Sequence, residues 1–399
     1  LGVLIGPGCF APHLLFQDFE MQEERIELVR PQMGTSRALT VRRYGKPGQG
    51  PKAYFQAALH ADELPGVITL HHLEVLLKEA DAKGEITGDI VVVPFANPIG
   101  FTQYVDMKPL GRFEMRSGQN FNRHYPDLSP ALIDAVDGKM GQDGDENVAL
   151  IRAELRRLIK EHRKNVSPLT DLQDLRLTLA ELAIDADYVM DLHCDWEAPM
   201  HLYISDHNWP DAADLSAQIG SECSLIAEIS GDNPFDEAFS RPWVELRRAF
   251  GDRFPIPMAT LATTIELRGD RDVYDEYAIK DAENMYKFLQ RRGLVAGDPG
   301  PLPEAKCDAT PLAGVDRVMA PHGGMVVFGA EAGAKVTAGQ ELGYVLDCET
   351  GEKTPFSSRT DGVLYSRIGI RLVVPGGYLC SVAGEKPLEG REGQLLLSK

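Results

Sequence analysis

Apolar positions recur at two periods along this chain, and the switches between them mark out its elements. Residues 37–48, RALTVRRYGKPG, alternate and then meet turn residues, which predicts a strand and a loop. Residues 53–59, AYFQAAL, form a short apolar run that leads straight into His60. After Pro65 the spacing becomes helical, with Val67, Ile68, Leu70, Leu73, Val75, Leu76 and Leu77 on the apolar positions. Proline suits the first turn of a helix, where its missing N–H costs nothing. Further strands are predicted at DIVVVPF (89–95), DYVMDL (187–192) and ATLATTIEL (259–267). Amphipathic helices are predicted at 147–164 and at 170–185, the second opened by a Thr/Asp cap. Strands that alternate with helices predict an α/β sheet.

The texture changes around residues 296–313, where Pro, Gly and Ala predominate, and this stretch reads as a linker. Beyond it the helical periods stop. Short alternating strands with turn glycines follow, so 314–399 is expected to be a small all-β domain. Residues 1–34 read as an N-terminal extension and 35–295 as one α/β domain, with a helical insertion at about 127–186.

The 399 residues carry a net charge of −19, which argues against nucleic acid as a partner, since phosphate binding needs a basic face. There is no run of about 18 apolar residues, so no membrane span is expected. The start, LGVLIGPGCFAPHLLFQDFE, has no basic n-region and is not read as a signal peptide. It also lacks an initiator Met, as expected of a trimmed or processed start. Six scattered cysteines without CxxC spacing do not form a disulfide framework, and a cytoplasmic location is expected.

Two constellations carry chemistry. His60 and Glu63 sit on a strand-to-helix turn, HADE, and His193 lies at the end of a distant buried strand. Taken separately, these residues also describe a solvated loop and a half-buried histidine. Taken together, two imidazoles and a carboxylate form a donor set for zinc that leaves a fourth position open for water. The second constellation is GRFEMRSGQNFNRHYP, with Arg112, Arg116 and Arg123 in an otherwise acidic protein. Arginines there either bind a carboxylate through two-pronged contacts or are plain surface charges. Glu266 ends an apolar β-branched run, which puts it at an exposed strand tip or inside a cleft where it would serve as a general base. Lys353 is the one residue that would suit a carrier role for the β domain, and it reads as an ordinary exposed lysine.

In this order, the H-x-x-E turn, Ala96–Pro98, Asn122-Arg123 followed by Pro126, the D-L-H at 191–193 and the I-E-L at Glu266 resemble the succinylglutamate desuccinylase/aspartoacylase family. The similarity runs from about residue 35 to 290 and continues into the β domain. It implies a zinc carboxypeptidase-like mixed sheet flanked by helices, with a small C-terminal all-β, barrel-sandwich-like domain. It also implies one zinc per chain held by His60, Glu63 and His193, with Glu266 as the catalytic carboxylate. Asn122 and Arg123 would hold the substrate's carboxylate or carbonyl. Arg112 takes the other arginine role, with Arg116 as its competitor. Many relatives have an aspartate where this chain has Asn120, behind a zinc histidine, so weaker zinc binding is expected here. The implied activity is hydrolysis of the amide bond of a small N-acyl amino acid, and the rival is a zinc carboxypeptidase acting on short peptides. Relatives are often dimers or larger, so a homo-oligomer fits the resemblance.

Overall fold

The computed structural model describes residues 21–391. The readings of the chain's start, including Cys9, lie outside these residues. The chain first lays down β1 (Gln22–Glu27), β2 (Ala38–Gly45) and β3 (Lys52–Ala57), then helix α1 (Pro65–Ala82) and β4 (Asp89–Val93). A short hairpin, β5 (Tyr104–Val105) and β6 (Lys108–Pro109), precedes three helices, α2 (Ser129–Val136), α3 (Gly144–Asn165) and α4 (Asp171–Ala183). Next come β7 (Tyr188–Asp195), β8 (His201–Ser205), α5 (Trp209–Ile219), β9 (Cys223–Ala227), α6 (Glu237–Phe250), β10 (Leu261–Gly269) and α7 (Asp275–Arg291). With β11 (Ala309–Pro311), the described strands form a nine-stranded mixed sheet in the order β1-β2-β4-β3-β7-β10-β8-β9-β11.

The middle of this sheet is parallel: β4, β3, β7 and β10 run the same way. Parallel strands are covered on both faces, so their sequences read as unbroken apolar runs. All five residues of β4 are buried. One face packs under α2, α3, α4 and α6, with Leu132, Ile151, Leu175 and Trp243 in its core. The other packs under α1, α5 and α7 through Leu70, Leu73, Leu215 and Phe288. The three helices α2, α3 and α4 fill the stretch expected to be a helical insertion. The expected cap at 170 is a capping box, in which Thr170 and Gln173 satisfy each other's backbone N–H. Among the described residues, no helix is long and apolar enough to cross a membrane.

The C-terminal strands are β12 (Val315–Met319), β13 (Gly324–Phe328), β14 (Lys335–Val336), β15 (Glu341–Leu346), β16 (Lys353–Ser357), β17 (Gly362–Arg367), β18 (Leu372–Val373) and β19 (Tyr378–Gly384). They form two four-stranded antiparallel sheets, β12-β19-β17-β14 and β16-β15-β13-β18, around Val326, Leu342, Val345, Leu364, Leu379 and Val382.

The stretch that reads as a linker is more than a tether. Its β11 pairs in parallel with β9 at the sheet edge. A separate apolar cluster of Cys223, Leu225, Leu312, Val315, Tyr365 and Ala383 then joins the two domains. Glu197 adds to the join. Its backbone bridges Arg367 in both directions, and its carboxylate pairs with Arg367 at 2.7 Å and with Arg371.

Gly66 fixes how closely α1 approaches the sheet. A Cβ there would lie 2.9 Å from Leu192 Cβ and 3.0 Å from Ala57 Cβ. Gly66→Ala is expected to destabilise the protein by about 1–3 kcal/mol, the usual cost of overpacking. Denaturant unfolding reads this out, and an unchanged midpoint would show that α1 moves aside freely.

Candidate active site

The carboxyl ends of β3, β7 and β10 meet at one edge of the parallel core, where an open α/β sheet collects its ligands. β3 leaves the sheet through Ala58, which has the left-handed φ of 55°. Such a conformation in a residue with a Cβ is strained, and it persists only where its surroundings hold it. Asn97, fully buried, donates to Leu59 O at 2.7 Å and accepts from Gly100 N at 2.8 Å, which anchors the turn from the neighbouring strand end. This gives the A-N-P string a structural purpose. From this turn His60 and Glu63 point inward, and His193 arrives on β7.

The ligand atoms of His60, Glu63 and His193 all lie within 4.8 Å of one another, and all three residues are buried. His60 Nδ1 lies 2.8 Å from Glu63 Oε1, and His193 Nδ1 lies 2.6 Å from Glu63 Oε2. The far nitrogens are engaged too. His60 Nε2 faces Asn120 Oδ1 at 2.8 Å, and His193 Nε2 faces Asp191 Oδ2 at 2.9 Å. Asn120 Oδ1 also accepts from Asn122 N at 2.9 Å, so it presents its oxygen, and the His60 Nε2–H donates to it. Both Nδ1 atoms are therefore turned to the common centre, where a metal would meet them.

The two histidines differ electrostatically. Burial lowers the His60 pKa to about 4, with the Glu63 carboxylate opposing and Arg112 reinforcing the shift. Burial also disfavours a charged His193, but the carboxylates of Asp191 and Glu63 outweigh it and hold its pKa well above the usual value. Asp191 is itself held in a buried string. It accepts from Gln56 Nε2 at 2.9 Å, and Gln56 Oε1 accepts from Tyr54 OH at 2.8 Å. Sequence reasoning noticed Asp191 only as part of a motif. Its spacing of two from His193 on a strand was the available signal, since such residues share a face.

Glu266 stands on β10 directly beside His193 in register. It is not at an exposed strand tip: its Oε2 is buried without a hydrogen-bond partner, and the residue lines the cavity in front of the histidines. Burial and the nearby Glu63 carboxylate push its pKa well above the ordinary glutamate value.

The four side chains expected to meet substrate part company. Arg112 Nη1 lies 3.3 Å from Glu63 Oε1 and 3.4 Å from His60 Nδ1, on the cavity wall. Its loop is held close because Gly111 O accepts from Ala61 N at 3.0 Å, and a Cβ on Gly111 would lie 2.2 Å from Asp62 N. Arg123 also lines the cavity and is buried. Asn122 sits behind the histidines: its Oδ1 accepts from Phe235 N at 2.8 Å, its Nδ2 lies 3.3 Å from His193 Nε2, and it does not line the cavity. Arg116 is drawn off to Asp171 at 2.5 Å and Glu114 at 3.1 Å, and it does not line the cavity either. Asn122 and Arg116 thus stand outside the cavity lining, while Arg112 and Arg123 stand on it. From α4, Arg176 holds the same loop by donating to Gln119 Oε1 and Asn120 O, each at 2.8 Å.

Other residues on the cavity wall were not legible beforehand. The C-terminal domain contributes Arg317, Tyr365, Tyr378 and Ser381. His201, in register with Glu266, is fully buried between the rings of Tyr203 and Tyr365. Lys353 is exposed and lies over the Tyr344 ring at 4.7 Å.

Comparison with known proteins agrees with this geometry. The model of the succinylglutamate desuccinylase/aspartoacylase catalytic domain matches residues 49–135. A search of curated proteins gave no match. The fold resembles a succinylglutamate desuccinylase/aspartoacylase family protein from Shewanella amazonensis, with a TM-score of 0.80 and 28% identity over 91% of this chain and 98% of that one. A similar protein from Shewanella frigidimarina gives a TM-score of 0.80 at 24% identity, covering 91% and 97% of the two chains. The ectoine utilization protein EutE from Ruegeria pomeroyi, solved with bound product, shares the fold at a TM-score of 0.64 and 17% identity, with coverage of 94% and 98%. In its matched segment, its structural likeness over most of the chain and its His-Glu-His cluster, the chain is similar to the succinylglutamate desuccinylase/aspartoacylase family.

Proposed function

We propose that this protein hydrolyses the amide bond of a small N-acyl amino acid, using a zinc ion held by His60, Glu63 and His193. The observation that carries this reading is the meeting of these donors with Glu266 and Arg112 on one cavity. Two neutral imidazole nitrogens and a carboxylate oxygen suit zinc and leave it an open position. When bound there, the ion would lower the pKa of water to about 7 and polarise a carbonyl oxygen.

The protein's own groups then divide the work. Glu266 takes a proton from the attacking water and returns it to the departing nitrogen. Its unpartnered Oε2 is free for both transfers. Arg112, half-exposed and next to Glu63, steadies the negative oxygen that develops on the carbonyl. Arg123 meets the carboxylate of the amino acid. With the β-domain wall the cavity holds about 260 Å³, just below the roughly 300–1,000 Å³ usual for ligand pockets. This size favours an acyl amino acid over a peptide.

Metal analysis and amine release test the reading together. One zinc per chain, with amine released from N-acetyl or N-succinyl amino acids, is the expected result. Zinc with cleavage of dipeptides alone would replace the reading with a carboxypeptidase. Absence of both zinc and turnover would end it.

Asn120 gives a finer test. It faces His60 without the charge that Asp191 supplies to His193. Asn120→Asp is expected to tighten zinc by roughly 10-fold or more, the scale on which such outer partners act. Competition with a chromophoric chelator measures it, and unchanged affinity would refute the idea.

A further inference from the structure

The strand that carries Glu266 changes course two residues further on. Side chains alternate along a strand, so residues two apart share a face. On β10, Ile265 and Leu267 pack into the core under α1, α5 and α7. Thr264 and Glu266 line the cavity on the opposite side. The alternation assigns Arg268 to the cavity face as well, next to Glu266. Arg268 leaves that face instead. Its guanidinium pairs with both carboxylate oxygens of Asp281, a buried residue of α7. It also lies 4.7 Å from the centre of the Tyr277 ring on the same helix.

The backbone shows what turns it. Against β7, Glu266 pairs with His193 but Gly269 pairs with Asp195, so β10 takes three steps where its partner takes two. This is a β-bulge, and bulges beside active sites re-aim side chains. Arg268 carries the strain, with the left-handed φ of 65°. That conformation is costly for a residue with a Cβ and persists only where its surroundings impose it. Gly269 N donates to Asp272 Oδ2 at 2.9 Å and fixes the far side of the bulge. Asp281 and Tyr277 hold the side chain itself. In a regular strand the arginine would reach Glu266, whose Oε2 has no hydrogen-bond partner to compete for it. A guanidinium beside a carboxylate favours its charged form and weakens it as a base.

We propose that Asp281 is a positioning residue. By holding Arg268 on the α7 side of the sheet, it keeps the guanidinium out of the cavity and leaves Glu266 unpaired for proton transfer. The inference rests on the deacylase reading.

Two substitutions that break the same ion pair provide the test, with zinc-loaded full-length protein assayed well below the melting point of each variant. Asp281→Ala frees Arg268 to relax to an extended conformation on the cavity face. It is expected to lower kcat by about 10-fold or more, with zinc content unchanged. Asp281→Leu, similar in size and without an acceptor, takes its place if the alanine variant does not fold. Arg268→Gly removes the guanidinium, and glycine accepts the left-handed backbone without steric cost, so this variant is expected to keep most of the wild-type kcat. The double variant Arg268→Gly/Asp281→Ala should regain what Asp281→Ala loses. A contact that served stability alone would make the two single variants alike, and equal kcat values overturn the proposal. So does a double variant as slow as Asp281→Ala. If even the wild type turns over no acyl amino acid, the deacylase reading fails, and a crystal structure of the Asp281 variant decides the placement by itself. A negative φ at Arg268 with its guanidinium beside Glu266 upholds it, and a guanidinium left on the α7 side overturns it.

Discussion

Glu266→Gln is expected to keep its full complement of zinc and to lose turnover by on the order of 10²–10⁴-fold, the range a positioned proton-transfer group contributes. The residue lies on a central strand, beside His193 but outside the donor cluster. Its Oε2 makes no hydrogen bond in the protein, so glutamine takes nothing from the fold except a charge. That charge is what a general base needs. The Glu63 carboxylate and burial both work against it, and a divalent cation at the cluster would work for it. The loss should fall on kcat rather than KM, because the group acts in the chemical step. A variant with wild-type zinc and more than a tenth of wild-type kcat would remove Glu266 from its role.

His193→Ala should have the widest effect of any single substitution here, striking metal binding and stability together. Without the ring, one of three donors is gone. Glu63 Oε2 also loses its contact at 2.6 Å and Asp191, fully buried, loses one at 2.9 Å. Breaking a buried ion pair by removing one partner costs about 3–5 kcal/mol, because the other charge is stranded. Elemental analysis should find almost no zinc, activity should be undetectable, and the thermal midpoint should fall well below that of the wild type. Stoichiometric zinc in this variant would show that the metal sits elsewhere.

How much of this could be read from the sequence depended on how local the signal was. β2, β3, β4, α1, α3, α4 and β10 carry their periodicity in their own residues, and they lie within a few positions of where the patterns place them. β8 has five residues, and β11 has three ending in Pro311. Their pairing depends on partners far along the chain, so the Pro/Gly-rich stretch around β11 looked like a linker. The donor cluster was legible because His60 and Glu63 share one turn and His193 follows an apolar strand. Arg112 and Arg116 could not be separated, since what removes Arg116 is Asp171, 55 residues away. The same limit applied to the β domain. Tyr344, Tyr365 and Arg367 look equivalent in the sequence, but only Tyr365 reaches the cavity, while Arg367 is held by Glu197.

The edge strand β11 has a consequence for how molecules enter. To swing the C-terminal half outward, the chain would have to unzip β11 from β9 and pull Leu312 and Val315 out of their apolar seats. Domain opening of that kind would have to break both attachments, so they tie the C-terminal half to the sheet edge. At the mouth of the cavity Arg112 keeps its side chain partly in water, so its rotation needs no such break.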